Sequence, residues 1–236
     1  MNSSDASTHP LDNVIWSALT HSHQAMLAIG KGAARRYPPD YAPFGAVREP
    51  TPGAYEDLAA LLAPGEQAAL FTRADVTPSE DFEVLVRKDA VQLIRDRPGE
   101  APSDDQFQRL GSADVTDMLD LVEKTKPGPF SDRTQELGAF FGKRVEGHLV
   151  AMAGERMRLD GYTEVSAVCT RADFRGHGLA RQLVEVVCSG IAARGEVPFL
   201  HAFADNRSAI ALYQSLGFSL RAPLRLSVLR RRGTVA

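Results

Sequence analysis

The stretch from residue 174 to residue 183 (FRGHGLARQL) places two glycines and two arginines directly before an apolar helical pattern. Gly176 and Gly178 can adopt backbone angles that other residues avoid, and they let a ligand approach the backbone closely. A helix that begins here offers unpaired N–H groups and about half a positive charge, and both favour phosphate. Arg175 and Arg181 add formal positive charge. The stretch therefore predicts either an anion-binding loop or a tight turn with no ligand.

A second stretch, residues 204 to 218 (ADNRSAIALYQSLGF), has cap residues on both sides of a helical pattern. Asn206, with Asp205 as the alternative, fits the N-cap of this helix, and Gly217 fits its C-terminal end. Tyr213 lies within the helix, where a tyrosine either packs in the core or presents its phenol to a ligand.

Taken together, the two stretches resemble the acetyl-CoA-binding signatures of the GNAT superfamily of N-acyltransferases. The first signature is arginine-x-x-glycine-x-glycine or alanine after a strand, and its fixed positions hold Arg175, Gly178 and Ala180. The second signature is an asparagine that ends a strand, followed by a tyrosine in the next helix, a glycine and an aromatic residue. These positions hold Asn206, Tyr213, Gly217 and Phe218. The resemblance extends over about residues 106 to 236, and two signatures in this order are far more specific than one.

The resemblance implies an α/β fold with a GNAT-like mixed, mostly antiparallel sheet and flanking helices, to which the N-terminal part adds an α+β region. The strand before the glycine loop and the strand after the next helix would splay apart and form a V-shaped cleft. Acetyl-CoA, the implied cosubstrate, would pair its pantetheine arm with the first strand and rest its pyrophosphate on the loop amides. The implied cofactor-binding residues are Val168, Cys169, Thr170, Arg175, Gly176, His177, Gly178, Leu179, Ala180, Asn206 and Tyr213. No metal is implied.

The resemblance also implies N-acetyl transfer by direct attack of a primary amine on the thioester, within a ternary complex. Backbone at Val168 would stabilise the oxyanion, and the Tyr213 phenol would protonate the departing thiolate. Because an amine with a pKa of about 10 is mostly protonated at pH 7, a base or a water chain should assist. Glu164, early in the strand, is the candidate base, and Glu155 and His201 are its rivals.

The alternation of side chains along the strand that carries Glu164 predicts which of them share a face. At a period of two, Glu164, Ser166, Val168 and Thr170 share one face, and Cys169 points to the other. Cys169 has no basic neighbour in the sequence that would lower its thiol pKa. This favours a buried structural cysteine over a covalent nucleophile.

The patterns around these residues predict the elements that hold them. The C-terminal half gives the order strand, helix, three antiparallel strands, helix, strand, helix and strands, with a hairpin turn at RVEG. The strands on either side of the glycine-loop helix form a crossover unit and should be parallel. The proline-rich seam at residues 95 to 106 predicts a boundary between an N-terminal α+β region, residues 1–100, and a GNAT acyltransferase domain, residues 101–236. The strand-rich end of the N-terminal region could be a degenerate partial copy of the same fold.

The composition excludes several other classes of protein. The 236 residues are 44% hydrophobic and 24% charged with a net charge of −3, so no overall basic field would recruit nucleic acid. The two cysteines, Cys169 and Cys188, fit neither a disulfide framework nor a zinc site. A signal-peptide pattern and a run of the roughly 18 to 20 apolar residues that span a membrane are both absent, which favours the cytoplasm and no membrane partner. The arginine-rich end after Asp205 is interpreted as a solvated edge strand and tail.

The expected partner is therefore an amine acceptor, either a small molecule or a peptide or protein amine, and a homodimer is an open option. The rival hypothesis is a catalytically inactive acyl-CoA-binding sensor or interaction module. Tyr213 at the signature position favours the enzyme. A P-loop nucleotide-binding protein would require a lysine and a serine or threonine that the glycine loop lacks.

Overall fold

The computed structural model describes residues 9–96 and 106–233. Within these ranges the chain forms two β-sheets with helices packed against them. The strands are β1 (Ile29–Lys31), β2 (Ala34–Arg36), β3 (Gly45–Val47), β4 (Gln67–Thr72), β5 (Phe82–Ile94), β6 (Gln108–Leu110), β7 (Phe140–Val145), β8 (His148–Leu159), β9 (Tyr162–Thr170), β10 (Val197–Phe203) and β11 (Ser219–Arg231). The α-helices are α1 (Val14–Thr20), α2 (Pro52–Ala60), α3 (Val115–Thr125), α4 (Leu179–Ala193) and α5 (Arg207–Ser215).

The larger sheet has the strand order β4-β11-β5-β10-β9-β8-β7-β6. β9 and β10 are parallel, and the other neighbouring strands are antiparallel. The predicted α/β fold with a mixed, mostly antiparallel sheet is confirmed, and so is the parallel relation of the two strands that α4 connects.

The turn between β7 and β8 is a two-residue hairpin, as the RVEG sequence predicts. Val145 pairs with His148, and the two residues between them, Glu146 and Gly147, have φ of 49° and 81°. Positive φ at both central positions is the geometry that matches the right-handed twist of paired strands.

Helices cover both faces of the larger sheet. Because successive side chains of a strand point to opposite faces, Phe199 and Leu200 enter different cores. Leu200 packs with Leu183, Val187 and other buried residues of α4, and we call this side the α4 face. Phe199 packs in the cluster that contains the buried residues of α1, and we call this side the α1 face.

The N-terminal segment supplies two strands of the larger sheet. β5 lies between β10 and β11 and is antiparallel to both, and β4 lies beyond β11. Residues 82–94, which the sequence predicts as two short strands, form the single strand β5. The predicted domain boundary falls among residues 97–105, outside the described residues, and strands from both sides of it share one sheet.

The remaining N-terminal elements form a small layer of their own. β1, β2 and β3 make a three-stranded antiparallel sheet in that order, and α2 packs against β2 and β3 through Tyr55 and Leu58. Among the helices of residues 9–96 and 106–233, none is long and apolar enough to cross a membrane.

The arginine-rich C-terminal segment is not an edge strand, contrary to the expectation from sequence. β11 is flanked by β4 and β5 because the N-terminal segment folds onto both of its sides. Its arginines form salt bridges with acidic residues of that segment: Arg221 with Asp12, Arg225 with Asp75 and Asp89, and Arg230 with Glu83. The positive charge of these three arginines is therefore neutralised locally, whereas Arg231 and Arg232 donate to the carbonyl oxygens of Leu62 and Phe82.

Candidate active site

A cleft opens where β9 and β10 diverge. The two strands pair from Tyr162 to Glu164 on β9 and from Val197 to Phe199 on β10, and they separate beyond these residues. The cleft has a volume of about 730 Å³. Its wall includes Leu212 and Tyr213 from the α4 face together with Phe44, Phe71 and Leu226 from the α1 face. The cleft therefore passes through the sheet from one face to the other.

The loop between β9 and α4 forms the end of the cleft on the α4 face. Gly176 and Gly178 have φ of 83° and 75°, in the region that strains residues with a β-carbon. Among the described residues, a β-carbon built on Gly176 would meet no atom within 4 Å, and one on Gly178 would meet Gln182 at 3.5 Å. Because Gly178 is the N-cap of α4, the unpaired amides of the first helical turn face this open space.

Ten of the eleven predicted cofactor residues line the cleft, and His177 does not. Its imidazole is exposed and lies beside the carbonyl oxygen of Phe174, at 3.2 Å. Asn206 caps α5 by accepting a hydrogen bond from the Ala209 amide at 3.2 Å. Thr170 Oγ1 is buried and has no hydrogen-bond partner among the described residues, so it is an atom that a ligand could satisfy.

A β-bulge at Ala167 changes which side chains of β9 share a face. Met152 pairs with Cys169 and Gly154 with Ser166, so Ala167 and Val168 lie opposite the single residue Ala153 of β8. Ala167 has φ of 52°. Val168 consequently packs with the α4-face cluster.

The prediction that Glu164 and Val168 share a face is therefore wrong. Glu164 contacts Arg156, whose guanidinium lies over the Phe44 ring on the α1 face. The extra residue of the bulge shifts the alternation by one position. The bulge also leaves the Val168 backbone without its own partner in the β8 register.

Glu164 is the centre of a buried ionic cluster on the α1-face side of the cleft. Arg156 donates to both of its carboxylate oxygens at 2.8 Å, and His201 Nδ1 lies 2.8 Å from Oε1. Burial alone would raise the pKa of the Glu164 carboxyl, but the Arg156 charge and the hydrogen bonds from Arg156 and His201 lower it to about 2. Glu164 is therefore a fixed anion at neutral pH.

Arg156 reaches Glu164 because of a second bulge, this one in β8. Glu155 pairs with Val165 and Arg158 with Thr163, so Arg156 and Met157 together lie opposite Glu164. The guanidinium carbon of Arg156 also lies 4.6 Å from the centre of the Phe44 ring.

The imidazole of His201 makes contacts through its ring face and through both of its nitrogens. Its ring stacks on Phe71, with centroids 4.3 Å apart and an angle of 10° between the planes. Its Nε2 lies 3.0 Å from the side-chain nitrogen of Gln92, and Gln92 in turn accepts a hydrogen bond from Arg221 at 2.9 Å. Because the Gln92 nitrogen can only donate, His201 Nε2 accepts and Nδ1 carries the proton directed at Glu164.

The structure thus separates the three candidate bases. Glu164 and His201 contact each other and both line the cleft. Glu155 is buried elsewhere, where it accepts a hydrogen bond from Arg194 at 3.0 Å, and it does not line the cleft.

Cys169 and Tyr213 differ in how they are buried. The Cys169 side chain packs with Met118, Leu121 and Phe140, and burial raises its thiol pKa to about 11, as expected for a structural cysteine. Tyr213 is 9% exposed, and burial, with a smaller effect of Cys169, raises its pKa to about 12. Its hydroxyl makes no hydrogen bond with the described residues and is not enclosed, so it faces the cleft.

Comparisons with known proteins identify the family. The model of the FR47-like proteins matches residues 141–226. A ribosomal protein bS18-alanine N-acetyltransferase from Salmonella typhimurium is 31% identical over 120 residues, which are 47% of this chain and 78% of that enzyme. The chain belongs to the GNAT family of acetyltransferases.

Solved structures of other GNAT acetyltransferases extend the likeness to the N-terminal segment. A protein from Novosphingobium aromaticivorans assigned to this family is 41% identical, with a TM-score of 0.90 over 96% of this chain and 100% of that one. A GCN5-related N-acetyltransferase from Kribbella flavida shares the fold at 16% identity, with a TM-score of 0.58 over 92% of each chain.

In this GNAT acetyltransferase, sequence reasoning missed the part of the cleft that the N-terminal segment supplies. Phe44, Ala69, Phe71 and Ala90 all line it. These are ordinary apolar residues, and no local pattern distinguishes them from core residues. The stretch QAALFTRA predicts a strand at β4, but not that its side chains line the cleft.

Proposed function

We propose that this chain transfers an acetyl group from acetyl-CoA to a primary amine by direct attack in a ternary complex. The observation that carries the proposal is a cleft that crosses the sheet, with open helix amides on one face and a buried carboxylate on the other. The amides of residues 175–180 would hold the pyrophosphate, and the amine would enter from the α1 face. No covalent acyl-enzyme is needed, since Cys169 is buried with a raised pKa.

The roles of individual residues follow from this arrangement. The Val168 amide at the bulge would stabilise the oxyanion, and the Tyr213 hydroxyl would donate to the departing sulfur. Glu164 stays ionised but is paired with Arg156, so its role would be to hold Arg156 and His201 in place beside the acceptor. Both oxygens of Glu164 already accept hydrogen bonds, and His201 Nε2 already accepts one from Gln92, so the proton of the amine would leave through a water molecule in the cleft.

The acceptor that best fits the α1-face half of the cleft is an amine carried on an apolar body. Half-buried Phe71, Leu226 and Val228 form this wall together with Phe44. Glu164, the carboxylate among the described residues that line the cleft, is paired with Arg156. A second positive charge on the acceptor would therefore find no free carboxylate there and would lose hydration. The Salmonella relative is named for the alanine of a ribosomal protein, and a small apolar residue at a peptide N-terminus belongs to the same chemical class.

Thiol release from acetyl-CoA in the presence of a panel of amines tests the proposal. The panel should pair apolar amines such as phenethylamine and an alanine-initiated peptide with polycations such as spermidine. We expect turnover with the apolar members and little with the polycations.

The matched binding control is Gly178→Val. A β-branched residue with positive φ is strained, and its side chain would stand where the phosphate should lie. The variant should lose acetyl-CoA binding in calorimetry while its circular dichroism is unchanged. Unchanged affinity would contradict the phosphate cradle, and acetyl-CoA binding without turnover on any amine would favour the sensor.

A further inference from the structure

A second concave surface lies on the N-terminal elements, apart from the acetyl-CoA cleft. We call it the basic groove, and it has a volume of about 790 Å³. Its lining includes Trp16 from α1 and three cationic residues, Lys31, Arg35 and Arg48, and it shares no lining residue with the acetyl-CoA cleft. The described residues that line it include no aspartate or glutamate.

The two arginines of the basic groove are held against the indole of Trp16. Their guanidinium carbons lie 5.1 Å (Arg35) and 5.3 Å (Arg48) from the ring centroid. Arg35 Nη1 also donates to the carbonyl oxygens of Gly32 and Ala34, at 3.0 and 2.7 Å. Arg35 Nε and Nη2 form no hydrogen bond with the described residues, and a guanidinium fixed in this way loses little entropy when it binds a carboxylate.

These cations lack the carboxylate partners that neighbouring arginines have. Among the described residues, Lys31, Arg35 and Arg48 form no salt bridge, whereas Arg36, the next residue along β2, is paired with Glu66. In a chain with a net charge of −3, three cations without a salt bridge thus lie together, and one carboxylate, Asp57, accepts a hydrogen bond from the Ala33 amide beside them. Charge complementarity favours an anion there.

The backbone beside the basic groove favours a peptide as the anion. β1 is an outer strand of the three-stranded sheet, all three of its residues are exposed, and Gly30 and Lys31 line the groove. An outer strand offers backbone N–H and C=O groups that an extended peptide can pair with. Ile29, 41% exposed, and Met26, 87% exposed, add apolar surface next to it. The indole is already covered by guanidinium groups, which disfavours stacking of a nucleic acid base.

We propose that the basic groove binds an acidic peptide segment, which would lie along β1 and direct its carboxylates at Arg35 and Arg48. This site is independent of the acetyl-transfer proposal. It would let the protein recognise a glutamate- or aspartate-rich stretch of another polypeptide at a distance from the acetyl-CoA cleft.

Intrinsic fluorescence tests the proposal directly, because Trp16 is the single tryptophan of the chain. The probe is a ten-residue peptide that alternates glutamate with alanine, and the reference is the same peptide with glutamine in place of glutamate. We expect a saturable change in Trp16 emission with the acidic peptide, weakened by added salt, and no saturable change with the glutamine peptide.

The matched variants are Arg35→Gln with Arg48→Gln, and Arg109→Gln as an exposed arginine on β6 outside the groove. Calorimetry should show the double variant binding the acidic peptide roughly tenfold or more weakly and Arg109→Gln binding it like the wild type. If the double variant does not fold, Arg35→Lys provides the test, since it keeps the charge but loses the fork and should bind with intermediate affinity.

Two results would overturn the proposal. One is the absence of saturable binding of the acidic peptide to the wild type. The other is tighter binding of oligouridylate than of the peptide, which would assign the groove to nucleic acid.

Discussion

The Tyr213 hydroxyl combines burial of its ring with access to the cleft. Because burial raises the pKa to about 12, the phenol is protonated across the whole neutral range. A thiol has an ordinary pKa of about 8.5, so complete transfer of the Tyr213 proton to the thiolate would be unfavourable at equilibrium. We expect the phenol to keep its proton and to stabilise the departing sulfur mainly by a strong hydrogen bond. The thiolate would then take its proton from solvent.

Tyr213→Phe should lower turnover by roughly one to three orders of magnitude, because the departing sulfur loses a hydrogen bond that stabilises its developing charge in the transition state. Acetyl-CoA affinity should change far less, since one hydrogen bond contributes about 1 kcal/mol net. The matched control is Tyr55→Phe, because the Tyr55 hydroxyl is buried in the N-terminal core without a partner among the described residues. Turnover of Tyr213→Phe within a factor of two of wild type would remove the phenol from the mechanism.

At the scale of single residues, the backbone of the glycine loop could be predicted from the sequence, because positive φ at Gly176 and Gly178 depends on local geometry. Both glycines and Tyr213 line the cleft. The partners of Glu164 could not be predicted. Arg156 and His201 reach it from β8 and β10, and their approach depends on strand register that no local pattern encodes.

Two bulges decide how β8 and β9 present their side chains. The bulge at Ala167 moves Val168 to the α4 face, and the bulge at Arg156 and Met157 brings the guanidinium onto Glu164. The sequence gives no sign of the bulge at Ala167, because alanine is not a residue that marks positive φ. A period of two therefore predicted the strand correctly and its faces wrongly beyond Ser166.

The cross-strand pair of Arg156 and Glu164 should behave as a unit. Removing one partner leaves a buried charge uncompensated, so Glu164→Gln or Arg156→Met should each lower the free energy of unfolding by about 3–5 kcal/mol at pH 7. Arg156→Met combined with Glu164→Gln should be closer to wild type than the sum of the two single losses. Urea denaturation at pH 7 measures all three, and strictly additive losses would contradict a coupled pair.

The pH dependence of the same variants has a definite sign. The pKa of Glu164 is lowered on folding from its ordinary 4.5 to about 2. Its ionised form therefore stabilises the folded state above about pH 4.5, and this contribution is lost as the pH falls toward 2. The stability difference between wild type and Glu164→Gln should accordingly shrink between pH 5 and pH 3 in the same urea experiment.

The whole molecule is held together across the boundary that the sequence predicts. The seam at residues 95 to 106 has the composition of a linker, and sequence alone therefore favoured two units. β5 nevertheless lies in the interior of the larger sheet, and Leu93 is fully buried in the α4-face core. Insertion of an early strand between two late ones depends on long-range pairing, which periodicity cannot reveal.

This topology predicts that a chain beginning at residue 106 does not fold on its own. Loss of β5 would leave the backbone groups of β10 and β11 unpaired over Phe199–Phe203 and Ser219–Arg231, and unpaired strand edges favour aggregation. The apolar wall of the cleft at Phe71 and Ala90 would be lost as well. We expect the shortened chain to be insoluble or to lack cooperative thermal unfolding.

The matched control for this truncation retains every residue of the chain and cleaves one peptide bond between β5 and β6. A protease site placed within residues 97–105, cleaved after folding, should yield two fragments that elute together in size-exclusion chromatography and still bind acetyl-CoA. The fragments should separate only under denaturing conditions, because strand pairing and core burial hold β5 in place without the connection. A chain from residue 106 that is soluble, unfolds cooperatively and binds acetyl-CoA would show that the C-terminal part closes its sheet without β5.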